Sequence, residues 1–279
     1  MIRLAVRCTP NLAEQVLAEL LELAPSGIEE LQRGGVVEYA IYGPPGELPE
    51  LPDLEAAAGA GLVSIETSEV ADDWSERWKQ FHRPVRVGDR ILVRPSWEEP
   101  GDEAARAADI EIVIDPGRAF GTGSHATTWL CLEMLLGLAE DDRASGSLAD
   151  LGTGSGVLAI AAAKLGFSPI QGCDHEQAAV EIAAANAVAN GVDVEIERID
   201  LRERPGPSAR TWLANLTAPI LLTVAERMKR LEQPPETVIF SGLLSAEIDL
   251  VSAAFASAGM SVERVSERSG WAALQMLRR

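Results

Sequence analysis

The stretch Asp150-Leu-Gly-Thr-Gly-Ser-Gly156 constrains this chain more than any other. It follows a short apolar run at 147–151 and opens into Val157-Leu-Ala-Ile-Ala-Ala-Ala-Lys164, a segment of helical character. A second acid, Asp174, ends the next apolar segment, 24 positions after Asp150. Strand, glycine turn, helix, strand and acid, in that order, describe one nucleotide-binding half of a doubly wound sheet.

The glycine spacing narrows the ligand. A dinucleotide fingerprint reads G-x-G-x-x-G and brings backbone N–H groups and a helix N-terminus onto a pyrophosphate. Here the pattern is G-x-G-x-G, at Gly152, Gly154 and Gly156, with an acid two positions ahead. An acid just before the turn is a poor neighbour for a phosphate and a good one for a cation. The spacing therefore disfavours a nicotinamide dinucleotide. It favours a ligand with a ribose for Asp174, positive charge and no phosphate. S-adenosylmethionine fits, through its cationic sulfonium and its ribose hydroxyls, which seek a carboxylate acceptor. Asp150, Gly152, Gly154, Gly156 and Asp174 are the cofactor-binding candidates this reading supplies.

Composition sets wider bounds. With 279 residues the chain holds one large domain and a small one. No apolar run reaches the length of a membrane span. The start lacks a signal-peptide pattern, and alternating Ile2, Leu4 and Val6 read as a strand. Cys8, Cys131 and Cys173 are scattered and lack metal-ligand spacing, which points to a reduced, cytoplasmic protein without a structural metal. A monomer is expected. The 43 acidic residues against 24 basic ones leave a net charge of −19. That balance disfavours direct nucleic-acid binding through a basic face, and it suits either a basic protein partner or a surface charged for solubility.

Along the chain, residues 1–66 read as one unit. A strand at 2–7 is followed by a helix at 12–23, a strand at 36–42, a break at Gly43-Pro-Pro-Gly46, a short helix at 50–58 and a strand at 62–67. With one further strand left unplaced, the order β-α-β-β-α-β suggests a small ferredoxin-like α+β module. It carries 11 acids and three bases. Residues 67–90 read as a helical linker, with Trp74, Trp78 and Phe81 on one face. Residues 91–279 alternate strands and helices. Strands at 91–94 and 110–114 pair ahead of the main unit. Helix 124–138, with Ser124 as its cap, then opens the α/β series. The closing strands, 260–266 and 271–277, lie too close together for a helical crossover, so one must run antiparallel to its neighbour.

Two further segments carry chemistry. Asp115-Pro-Gly-Arg-Ala-Phe-Gly-Thr-Gly-Ser-His-Ala-Thr-Thr128 is a loop dense in glycine and hydroxyl groups, suited to close approach of a ligand. Its His125 is a candidate base, or else an orienting hydrogen-bonder at a helix start. Leu213-Ala-Asn-Leu-Thr-Ala-Pro219 places Asn215 at the carboxyl end of a strand, where open α/β sheets bind ligands.

These strings together resemble the ribosomal protein L11 methyltransferase family (PrmA). The resemblance rests on the 115–128 loop, on 150–161, on Asn186-x-x-x-Asn-Gly191, on Ala214-Asn215 and on Ser241-Gly-Leu243. It implies a class I methyltransferase sheet with an antiparallel last strand, behind a small N-terminal domain that recognises the acceptor protein. It implies S-adenosylmethionine contacts at Phe120, Gly121, Thr128, Gly152, Asp174 and Asn215. It further implies N-methylation of lysine and N-terminal amines of a basic ribosomal protein. The chain departs from the family pattern at Ala126, at Ser208-Ala-Arg-Thr-Trp212 and at Pro234-Pro235, positions that bear on the acceptor pocket. Asn215 is expected to orient the amine, with His125 as the reserve base. The alternative is a class I methyltransferase acting on another protein lysine or a small amine.

Overall fold

Central strand β1 (Ile2–Cys8) organises the first of two units, Met1–Phe81 and His82–Arg279. The computed structural model describes residues 2–13, 16–17, 20, 29–33, 35–43, 62–69, 83–99, 108–115 and 125–279. In the first unit β1 lies between β3 (Val36–Gly43) and β4 (Leu62–Glu69), and β2 (Glu29–Arg33) flanks β3. All three pairings are antiparallel. The order β2-β3-β1-β4 is that of the expected ferredoxin-like module. Leu4, Val6 and Cys8 turn one face of β1 into a core with Val37, Tyr39, Ile41, Val16 and Leu20. Tyr39 buries its ring there and donates its hydroxyl to Ala13 O at 3.0 Å. Buried Glu38 accepts from Arg3 Nη2 and Arg7 Nε, each at 2.5 Å. The expected helix at 50–58 lies outside the described residues.

The second unit begins with a three-stranded sheet, β5 (Val85–Val87), β6 (Ile91–Arg94) and β7 (Ile110–Val113). β6 and β7 are parallel, as a pair ahead of the main sheet. The main series follows. It runs α1 (Ala126–Glu140), β8 (Leu148–Leu151), α2 (Val157–Leu165), β9 (Ile170–Asp174), α3 (Gln177–Ala189) and β10 (Glu195–Arg198). It continues with β11 (Thr211–Asn215), α4 (Ala218–Met228), β12 (Thr237–Leu244), α5 (Ile248–Ser257), β13 (Met260–Arg268) and β14 (Trp271–Arg278).

The seven strands order as β10-β9-β8-β11-β12-β14-β13. β8 to β12 run parallel, and β14 runs antiparallel to both β12 and β13. This is the doubly wound sheet with an antiparallel last strand that the sequence led us to expect. Helices cover both faces, so the central strands read as unbroken apolar runs rather than alternating ones. Leu148, Leu213 and Ile239 pack toward α1 and α2. Trp212, Ala214, Val238 and Phe240 pack toward α4 and α5.

Several boundaries differ from expectation. α1 starts at Ala126 with His125 as its N-cap, in place of the expected Ser124. The expected linker at 67–90 is not helical throughout: 67–69 complete β4, and Val85–Val87 form a strand. Its Trp74, Trp78 and Phe81 lie outside the described residues. A 3-10 turn, Ser245–Glu247, precedes α5. Among the described residues, no helix is long and apolar enough to cross a membrane.

Candidate active site

The parallel strands β8, β9, β11 and β12 end along one edge of the main sheet, and the candidate residues collect there. Asp174 closes β9 and Asn215 closes β11. The glycine turn leaves β8 with Gly152, Gly154 and Gly156 at φ of 73°, 54° and 82°. Those conformations strain any residue with a Cβ, which is why the chain carries glycine at each. Gly152 N and Thr153 N both donate to Cys173 O at 2.8 Å, folding the turn across the end of β9.

Asp174 is held from two sides. Its Oδ2 accepts from Gly154 N at 3.0 Å and its Oδ1 from Glu176 N at 3.1 Å. A carboxylate oxygen accepts about two hydrogen bonds, and Oδ1 also lies 3.2 Å from His175 Nδ1, so Oδ2 is the oxygen that keeps capacity for a ribose hydroxyl. Asn186, on α3, donates from Nδ2 to Ser155 O at 2.8 Å. Asn190 pairs with Val113 as a strand would, each of its two hydrogen bonds to the Val113 backbone measuring 2.8 Å. Asn190 Nδ2 also donates to Asn186 O at 2.9 Å. The glycine turn is thereby fastened through α3 to the end of β7.

Asp150 is fully buried, and half of its carboxylate is committed inside the protein. Oδ2 accepts from Thr153 Oγ1 at 2.7 Å and from Ala159 N at 3.2 Å. Oδ1 is buried and, among the described residues, has no hydrogen-bond partner. Burial pushes the carboxyl up to about 7, although both hydrogen bonds pull the other way. An orphaned carboxyl oxygen beside a glycine turn suits a cationic ligand, whose charge would favour the ionised form.

Asn215 Nδ2 donates to the hydroxyl of Thr128 at 3.3 Å. Thr128 is itself fully buried on the first turn of α1, so the strand end and the helix start fix each other. His125 caps that helix: its Nδ1 accepts from Thr127 N at 3.4 Å and lies 2.8 Å from Thr127 Oγ1. Its ring meets Trp271 edge-on, with centroids 5.1 Å apart. Burial lowers the His125 pKa below its ordinary value, so the ring is neutral at pH 7. Phe120 and Gly121 lie outside the described residues.

Three contributors escaped the sequence reading. Thr153, which satisfies Asp150, reads as filler between glycines. Trp271 reads as an ordinary strand start. Leu216 reads as a plain apolar residue, yet a Cβ placed on Gly152 would lie 2.4 Å from its Cδ2. Only the hydroxyl of Thr153, beside a buried acid, offered a signal in the sequence. Cys131 and Cys173 are buried and free, and burial pushes the Cys173 thiol up to about 12. Cys173 therefore supplies no thiolate nucleophile at neutral pH.

Comparison with known proteins covers most of the chain. The sequence model of the family described as ribosomal protein L11 methyltransferase (PrmA) matches residues 51–279. The ribosomal protein L11 methyltransferase of Alkaliphilus oremlandii is 37% identical over 227 residues, which span 80% of this chain and 70% of that protein. Its counterpart in Syntrophotalea carbinolica is 39% identical over 228 residues, 81% of this chain and 71% of that one. The crystal structure of a ribosomal protein L11 methylase from Lactobacillus delbrueckii subsp. bulgaricus aligns with a TM-score of 0.61 at 28% identity. That alignment covers 71% of this chain and 100% of the other.

Proposed function

The chain belongs to the ribosomal protein L11 methyltransferase family, and we propose from that membership that it methylates amino groups of ribosomal protein L11. It is an S-adenosylmethionine-dependent methyltransferase. One observation carries our reading of the site: Asp150, Asp174 and Asn215 collect toward one sheet edge, and among the described residues a buried oxygen of Asp150 lacks a partner.

S-adenosylmethionine, when bound, supplies a methyl carbon already activated by a sulfonium. The protein's work is then positioning and the exclusion of water. In this reading Asp174 would hold the ribose by accepting a hydrogen bond from a hydroxyl, and Asp150 would supply a carboxylate to balance the cofactor's positive charge. Gly152, Gly154 and Gly156 let the backbone pass close beside it. The acceptor amine must be neutral to attack. A free lysine, with pKa ~10.4, is half neutral at pH 7 only at a cost of ~4.6 kcal/mol. A dry pocket beside a cation supplies part of that. Thr128 holds the Asn215 amide by its Nδ2, which leaves Oδ1 to accept a hydrogen bond from the amine and aim its lone pair. His125 serves as the cap and orienter of α1, with Nδ1 spent on the cap, and only secondarily as a base.

Residues 1–66 act in this account as the acceptor-recognition module and 67–90 as its linker. The net charge of −19 suits a basic acceptor and disfavours nucleic acid. The same account has the protein work in the cytoplasm as a monomer. A second reading, another protein lysine or a small amine, draws on one observation: residues 1–50 lie outside the matched stretch.

Asn215→Ala tests the site assignment. The variant should bind S-adenosylmethionine within about twofold of wild type while turnover on ribosomal protein L11 falls roughly a hundredfold. Turnover at the wild-type level would remove Asn215 from the mechanism.

A further inference from the structure

Leu216, the residue after Asn215, is gripped between the glycine turn that follows β8 and strand β12. Its side chain fills the space that a Cβ on Gly152 would occupy. Its main chain lies against Gly242 of β12. A Cβ on Gly242 would sit 2.4 Å from Leu216 O, 2.7 Å from its carbonyl carbon and 2.8 Å from its N. Gly242 also has φ of 88°, where a side chain is strained whatever the space. Position 242 therefore has no room for a methyl group unless the Leu216 main chain moves.

The grip has a second component. Ser241 stands opposite Asn215 in the β11–β12 register, and Ser241 O accepts from Leu216 N at 3.0 Å. Ser241 is fully buried, and its hydroxyl donates to Ala272 O of β14 at 2.8 Å. Between Phe240 and Leu243 the register of β12 against β14 shifts, so Ser241 and Gly242 form an irregularity in an otherwise regular strand. Such bulges re-aim the chain beside sites.

We infer that the Ser241–Gly242 bulge is a positioning device for the transfer step: it clamps the main chain of Leu216 and thereby sets where the Asn215 amide stands. The inference rests on the reading of Asn215 as the group that faces the acceptor amine. A methyl on residue 242 lies 2.4 Å from Leu216 O, where ordinary contact begins near 3.4 Å. The Leu216 main chain must yield by about 1 Å, and a misplacement of that size costs roughly a hundredfold in rate. Asn215 is one peptide bond away and moves with it.

The test is a double-mutant cycle on the full chain, with Gly242→Ala, Asn215→Ala and the double variant. Cofactor affinity is measured by calorimetry, and kcat with ribosomal protein L11 as acceptor. Gly242→Ala should bind S-adenosylmethionine within about threefold of wild type and lose roughly 10- to 100-fold in kcat. The double variant should be no slower than Asn215→Ala, because the clamp acts only through that amide. A general structural role would instead lower kcat again in the double variant, and that result overturns the inference. So does wild-type kcat in folded Gly242→Ala. Ser241→Ala adds no atom and keeps the test open where Gly242→Ala does not fold. It should lose about threefold in kcat, and that loss should vanish on the Asn215→Ala background. An undiminished kcat there also overturns the inference. Wild-type kcat in Asn215→Ala removes the Asn215 reading itself, whereas a slow Asn215→Ala with a fast Gly242→Ala removes only the clamp.

Discussion

Asp150 ties the glycine turn to the helix that follows it, at the candidate site. Its Oδ2 holds the glycine turn through Thr153 and the first turn of α2 through Ala159, while its Oδ1 is buried without a partner among the described residues. The sign of its effect on stability follows from the direction of its shift. The folded carboxyl keeps its proton up to about 7 against an ordinary 3.8, so between those values the native state binds more protons than the unfolded chain. Stability from this group is therefore full below about pH 4, declines as pH rises toward 7, and is level above it. Asp150→Asn removes the titration. Melting of the unliganded proteins at pH 5 and pH 8 should show the variant gaining on wild type by on the order of 3 kcal/mol over that interval. A pH-independent difference would contradict the burial argument. Spacing alone made Asp150 and Asp174 visible in the sequence, because a glycine turn flanked by acids has few uses. Leu216 was invisible, because its role exists only once the ends of β8, β11 and β12 are side by side.

Among the elements, long periodic segments were legible and short or edge segments were not. The doubly wound series and its antiparallel last strand follow from apolar runs and loop lengths. β2 escaped because Glu-Glu-Leu-Gln-Arg has a single apolar residue and pairs on one side only, with β3. β5 escaped because three residues carry no period. The cap of α1 was misplaced by one residue, since serine is the commoner cap and His125 Nδ1 fills that place. Side-chain fasteners between elements are equally hidden. Asn190 gives β7 the pairing that a neighbouring strand would give, by accepting from Val113 N and donating to Val113 O. Asn190→Ala should cost about 2 kcal/mol in denaturant unfolding, because it strands both backbone groups. Asn190→Asp should recover little, since a carboxylate cannot donate to the carbonyl. A loss below about 0.5 kcal/mol in both would show that water replaces the fastener.

The whole molecule joins a catalytic unit that the sequence described well to a small unit that it described in outline. The strand order β2-β3-β1-β4 gives that outline its fold. Eleven acids against three bases in residues 1–66 give it its charge. Glu38 and Glu66 are already paired with Arg3 and Arg7, so a basic partner would meet the remaining acids. The acceptor was the least legible property, because the sheet edge that binds a cofactor does not encode which amine is presented to it. The most direct measurement incubates the full chain with methyl-labelled S-adenosylmethionine and purified large-subunit ribosomal proteins, beside the Asn215→Ala variant. We predict label on ribosomal protein L11 and its loss in the variant. Label absent from every protein, or present on others with ribosomal protein L11 unlabelled, would contradict the account.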